Sequence, residues 1–151
     1  MKKFYQILIL MSISSVTLAD GNVMPMKVPE KVKSECASCH MVYAPAFLPK
    51  DSWMRIMSGL EKHYGTDASI DPQSIKEISQ WLNQNAGTYK RVSSAPPNDR
   101  IAESTWFIKK HRKISDSTWK SSKVKSKANC MACHTSADKG SYDDDEVRIP
   151  K

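Results

Sequence analysis

The sequence is poor in the residues that would place it in several broad classes. It has only five glycines and eight prolines in 151 residues, which excludes collagen-like and low-complexity architecture. After the first nineteen residues it has no second long apolar run, so the mature chain is expected to lack a membrane span. It shows no convincing apolar–polar alternation of the kind a half-buried strand requires. It carries no nucleic-acid recognition motif, and its N-terminus points to export, which together argue against a nucleic-acid partner. Cysteine is limited to four residues and histidine to four. No methionine lies between Met57 and Met131.

Of the residues present, 40% are hydrophobic and 26% charged. That fits one ordinary domain or two very small ones. The net charge of +7 is compatible with an acidic partner surface. Residues 1–19 read as a secretory signal peptide. Lys2 and Lys3 form the positive start, Ile7 to Met11 an apolar centre, and Thr17-Leu18-Ala19 the small residues of a cleavage site. The alternative, an uncleaved anchor, is disfavoured because the stretch contains Gln6 and serines and is shorter than the ~20 apolar residues of a spanning helix. Cleavage before Asp20 leaves 132 residues and removes two lysines, for a net charge of +5. The expected compartment is the bacterial periplasm or the cell exterior.

All four cysteines fall in two copies of one frame, Cys36-Ala-Ser-Cys39-His40 and Cys130-Met-Ala-Cys133-His134. Disulfides are the first reading for cysteines in an exported protein. Zinc knuckles are the second, but they recur roughly 15–20 residues apart, far closer than these. A thioredoxin-like pair needs a βαβ pattern that is not visible. The histidine directly after each second cysteine favours c-type haem attachment. Two thiols three residues apart on one turn match the two vinyl groups of a porphyrin, and the next residue offers an imidazole to the iron. Cys36 and Cys39 are thus expected to hold one haem with His40 as proximal ligand. Cys130 and Cys133 are expected to hold a second with His134.

The sixth ligand of each iron separates electron carriers from catalytic or ligand-binding haems. Two histidines remain, His63 and His111. Residues 50–65 read as an amphipathic helix closed by Gly65, with Trp53, Ile56, Met57, Leu60 and Tyr64 at helical spacing and His63 on the same face. In IAESTWFIKKHRK, Ile101, Phe107 and Ile108 define the apolar side, and His111 follows Phe107 by four residues. The plain alternative for each is a core or half-exposed histidine. Methionine is the rival ligand type, with Met54 and Met57 the only placed candidates. The count favours bis-histidine ligation and low-spin iron, which gives a lower potential than histidine–methionine ligation. His63 follows His40 by 23 residues and His111 precedes His134 by 23. This assigns His63 to the first haem and His111 to the second, with crossed ligation as the other arrangement.

The expected organisation is mainly α, with two small haem-centred lobes. Residues 20–92 form the N-terminal lobe, 93–99 a linker and 100–151 the C-terminal lobe. A helix is expected through VPEKVKSECASCH with Pro29 at its start. A proline-rich loop, MVYAPAFLP, follows. A further helix has Asp71 as N-cap, Pro72 in its first turn and Gly87 past its end, with Ile75, Ile78, Leu82 and Ala86 as its stripe. Lobes this small need the haem for much of their core, and Trp53, Trp81, Trp106 and Trp119 are expected to pack near it. Nine Lys or Arg against two acids lie between Arg100 and Lys127. The stretch reads as a docking face for an acidic redox partner, or as a solvated face neutralised by haem propionates and the run Asp143, Asp144, Asp145, Glu146.

CASCH, YAPAFLPKDSWMRIMSGLEKHYGTDASID, WLNQNAG, RIAESTWFIKKH, ANCMACH and the terminal VRIP occur in an order and spacing that resemble the dihaem cytochrome c family. These are small periplasmic bis-histidine electron carriers, and the resemblance covers nearly all of the mature chain. It implies two covalent haem c groups, an N-terminal lobe similar to class I cytochrome c and a smaller C-terminal haem lobe. It also implies His63 and His111 as distal ligands, and a small monohaem cytochrome among the partners. The expected function is electron transfer without catalysis. The rival is a haem enzyme or ligand-binding cytochrome, such as a peroxidase or an oxygen or nitrite reductase, with one open or displaceable axial position.

Overall fold

A computed structural model describes residues 23–150. The expected signal peptide lies outside the described residues. Five short α-helices carry the fold: α1 (Glu30–Cys36), α2 (Lys50–Ser58), α3 (Pro72–Asn85), α4 (Thr105–Lys110) and α5 (Asp116–Lys120). Single 3-10 turns connect them. Among the described residues there is no strand, only an isolated bridge between His63 and Thr66. The architecture is mainly α, as the missing alternation implied.

The longest helix forms for reasons visible in its sequence. Asp71 caps α3 by accepting from the backbone N–H groups of Gln73 and Ser74. Pro72 supplies a first helical residue that needs no hydrogen bond. Ile78, Trp81 and Leu82 are buried along one face, with Ile75 and Ala86 packed at its margin. α2 and α1 pack on α3, bringing Val32, Leu48, Trp53, Met57 and Leu60 into one core. The chain after α3 must pass very close to its neighbours. A Cβ on Gly87 would sit 2.5 Å from the Ala46 carbonyl oxygen and 2.7 Å from Val92 Cγ1, so only glycine fits there.

The helix expected over residues 50–65 is shorter than its periodicity suggests. α2 stops at Ser58, Gly59 leaves the helical region with φ −129° and ψ 32°, and Leu60–Lys62 tighten into a 3-10 turn. The cause is local. Gly59 gives up helical backbone cheaply, and Leu60 can then turn inward to the core, where it is buried. His63 is left outside any helix, with ψ at 87°. Ile108 also departs from expectation. It is 58% exposed, because the residue after buried Phe107 points about 100° away around α4.

The segment 41–49 has no long helix, yet it is a firm part of the core. Ala44, Pro45 and Leu48 are fully buried, and the Trp53 indole donates to the Pro45 carbonyl at 2.7 Å. Residues near the expected linker are also tied to α2. Arg55 makes two hydrogen bonds with the Asp99 carboxylate, at 2.6 and 2.8 Å.

Candidate haem sites

The first motif begins at the end of α1. Cys36 is the last helical residue and packs against the core, while Cys39 and His40 lie on the exposed turn that follows. Burial pushes the Cys36 thiol up, with Glu35 adding to the effect. His40 Nδ1 stands 2.7 Å from the Met41 carbonyl oxygen. A carbonyl only accepts, so Nδ1 carries the proton and the Nε2 lone pair is left for a metal.

His63 reaches this site through a tight turn. Its carbonyl accepts from Thr66 N–H, and the turn is made by Tyr64 and Gly65, both with positive φ. Gly65 at φ +98° requires a residue without a Cβ. The Tyr64 hydroxyl donates to the carbonyl of Asp99 at 3.0 Å, and the Arg100 guanidinium lies over its ring at 4.3 Å. Burial, with His40 and Arg100 nearby, lowers the His63 pKa and favours the neutral imidazole, the form that binds metals. The His40 and His63 ring centroids are 6.2 Å apart, with planes 25° apart.

The second motif folds as a single 3-10 turn, Cys130–Ala132, and His134 N–H closes it on the Cys130 carbonyl. Arg148 N–H donates to the Cys133 carbonyl, so the C-terminal VRIP segment backs the motif. His111 caps the end of α4. Its ring stacks on Phe107 at 3.9 Å, and its Nδ1 is 2.9 Å from the Phe107 carbonyl oxygen. Again the proton belongs on Nδ1 and the Nε2 lone pair is free. His111 and His134 have centroids 6.2 Å apart and planes 78° apart.

Both pairs therefore show the same separation at two unrelated places in the chain. Two metal–imidazole bonds of about 2 Å, with roughly 1 Å from each nitrogen to its ring centre, put centroids roughly 6 Å apart. The spacing is that of two imidazoles facing one metal from opposite sides. His63 lies beside His40, and His111 lies beside His134.

The surroundings of the second pair also fit a large apolar group with polar edges. A cavity of about 290 Å³ is lined by Cys130, Cys133, His134 and His111, with Trp106 and Trp119 among its walls. Trp106 Nε1, Tyr142 Oη and His134 Nδ1 are buried there without hydrogen-bond partners among the protein atoms. Each such orphan costs about 1–3 kcal/mol unless something in the cavity pairs with it. Burial pushes the Cys130 thiol up to about 11, so the free thiol is held neutral. Burial also lowers the His134 pKa, with His111 as a second cause. Trp53 on α2 and Trp81 on α3 lie in the helical core against which Cys36 of the first motif packs.

The four cysteines form no disulfide. Among the described residues no three His, Cys, Asp or Glu side chains gather as a metal cluster. Two further residues near the sites are not among the site residues expected from the sequence. Tyr43 stands 4.9 Å from His40 and donates a hydrogen bond to the Ala128 carbonyl. Tyr142 packs 5.3 Å from His134. Tyr43 opens the YAPAFLP stretch of the family resemblance, but that stretch assigns it no role, and only the fold brings the two tyrosines to the histidines.

Known proteins resemble this chain over most of its length. The dihaem cytochrome c family profile matches residues 32–142. A dihaem cytochrome type c from Shewanella baltica OS155 is 37% identical, with a TM-score of 0.71, over 82% of this chain and 95% of that one. A crystal structure of DHC from Rhodobacter sphaeroides is 37% identical, with a TM-score of 0.66, over 77% and 98% of the two chains. A dihaem cytochrome c structure from the same organism is 35% identical, with a TM-score of 0.68, over 76% and 97%. No protein of curated function matches the chain. With two Cys-x-x-Cys-His frames, two facing histidine pairs and these relatives, the chain belongs to the dihaem cytochrome c family and carries two covalently bound haem c groups.

Proposed function

We propose that the chain is an exported periplasmic electron carrier in which each haem iron is held between two histidines and stays low-spin. Cys36, Cys39 and His40 hold the first haem with His63 opposite. Cys130, Cys133 and His134 hold the second with His111 opposite. The observation that carries this reading is the 6.2 Å separation repeated in both histidine pairs.

A bound haem supplies a one-electron couple between ferrous and ferric iron. The protein's part is to keep both axial positions filled in either state, so that little rearranges when the electron moves. His40 and His111 do this with their Nδ1 protons bonded to backbone carbonyls, which fixes the tautomer and raises the basicity of Nε2. Strongly donating axial ligands favour ferric iron and lower the potential. All four histidines of the chain are used in these pairs. None is left to act as a distal acid or base, which weighs against a haem enzyme.

The N-terminal signal of residues 1–19 supports export. No described helix is long and apolar enough to cross a membrane. The exposed Lys109, Arg112 and Lys113 beside His111 suit an acidic redox partner docking near the second haem. The Lys110–Asp144 ion pair, at 3.6 Å, offsets part of the charge of that basic stretch.

Replacing each distal histidine separately tests the assignment. His63→Ala and His111→Ala should each convert one of two haems to a high-spin form that binds carbon monoxide. A fully low-spin spectrum in either variant would remove that residue from the ligand set.

A further inference from the structure

The two attachment motifs lie 94 positions apart in the sequence, and one side chain spans the space between them. Tyr43 belongs to the proline-rich segment 41–49, whose packing the haem ligands do not explain. On one side its ring stands 4.9 Å from the His40 imidazole, with planes 31° apart. On the other side its hydroxyl donates to the Ala128 carbonyl oxygen at 2.7 Å. The same oxygen accepts from the Cys130 backbone N–H at 3.1 Å and lies 3.7 Å from Cys130 Sγ. The phenol and the attachment sulfur of the second motif thus converge on a single acceptor.

Resting on the haem assignment above, we propose that Tyr43 is a positioning residue that fixes the two haem sites against each other and carries the protein path for electron exchange between them. The covalent route between the motifs runs through about ninety residues. The Tyr43 route needs one ring contact and one hydrogen bond. Electron tunnelling weakens steeply with every gap crossed through space, so a path with a filled ring and a short hydrogen bond dominates longer ones. The exchange is balanced without a proton. One electron leaves a ferrous iron and arrives at the ferric iron of the other haem, while the phenol is neither oxidised nor deprotonated.

The placement of Tyr43 suits a fixed strut. Its neighbours Ala44 and Pro45 are fully buried, and the Phe47 N–H closes a turn on the Ala44 carbonyl at 3.0 Å. The tyrosine cannot swing without disturbing the core beneath it. Its hydroxyl bond also ties down the backbone just before Cys130, in a stretch where Lys125, Ser126, Lys127, Ala128 and Asn129 are all exposed.

The test compares the haem-loaded wild type with Tyr43→Phe and Tyr43→Leu. Haem-methyl signals in proton NMR of the half-reduced protein report the rate of intramolecular exchange. The phenylalanine variant, which keeps the ring and loses only the hydrogen bond, should slow exchange several-fold. The leucine variant should slow it further. Unchanged exchange in Tyr43→Phe, even with a lower melting temperature, would reduce Tyr43 to a packing residue and overturn the proposal. The absorption spectrum, read first, judges the axial ligands separately. A high-spin wild type contradicts that assignment, while the exchange rates judge Tyr43 in either case.

Discussion

The Phe107 and His111 rings lie face to face at 3.9 Å, their planes only 20° apart, while His111 Nδ1 sits 2.9 Å from the Phe107 carbonyl. One residue thus fixes both the plane and the tautomer of the imidazole one helical turn later. Phe107 is buried, so Phe107→Ala should destabilise the protein by about 3–5 kcal/mol. It should also let carbon monoxide compete with His111 at the second haem. Denaturant titration and carbon monoxide difference spectra of the same variant check the two effects, and a stable variant without carbon monoxide uptake would deny Phe107 this role.

The two histidine pairs differ in one way that spectroscopy can read. Planes 25° apart at the first site separate the energies of the two iron d-orbitals that interact with the imidazoles, whereas planes 78° apart at the second leave them nearly equal. Electron paramagnetic resonance of the oxidised protein should therefore show two ferric low-spin species in equal amounts. One should be rhombic and the other strongly anisotropic, with a larger maximum g value. His63→Ala should remove the rhombic signal alone. Two identical signals would mean that the imidazole planes are not held as described.

Asp99 links acid stability to the first site. Its hydrogen bonds from Arg55 hold its carboxyl below the usual carboxylate range. Its backbone carbonyl receives the Tyr64 hydroxyl, next to His63. A depressed folded-state pKa gives stability that is present above the unfolded value of about 3.9 and is lost as pH falls through the folded one. Asp99→Asn should therefore lower the melting temperature at neutral pH and flatten its dependence on pH below about 4. An equally steep acid dependence in the variant would place the effect elsewhere. The change should be small, because the Arg55 side chain is 53% exposed.

Gly87 offers a test of packing independent of the haems. Gly87→Ala places a methyl group 2.5 Å from the Ala46 carbonyl oxygen, and backbone cannot yield as a side-chain tip can. Overpacking of this kind costs about 1–3 kcal/mol. Thermal unfolding of the haem-loaded variant should show the loss, and a melting temperature equal to wild type would mean that the 46–48 segment shifts freely.

What the sequence made legible was chemistry with short-range rules. The cap and proline that start α3, and the glycine beyond its end, obey local backbone preferences, and the helix lies where they put it. The two Cys-x-x-Cys-His frames are equally local, because thiol spacing on one turn sets them. The pairing of His63 with His40 was reached by counting residues, and it is the pairing found in space. The helix proposed to deliver His63 was wrong in detail, since the apolar period continues through Gly59 while the backbone does not. Tyr43 was invisible for a different reason. Its partner lies 85 residues away, and neither residue type nor spacing announces a contact at that range.

The most direct test of the central claim is an absorption spectrum of the haem-loaded protein, oxidised and then reduced, before and after carbon monoxide. On the proposed ligation, two histidine pairs at 6.2 Å leave neither iron an open position. The account predicts two low-spin haems in both states and no change when carbon monoxide is added. A high-spin band, or a shift of the reduced spectrum with carbon monoxide, would show an open or displaceable axial position and contradict it.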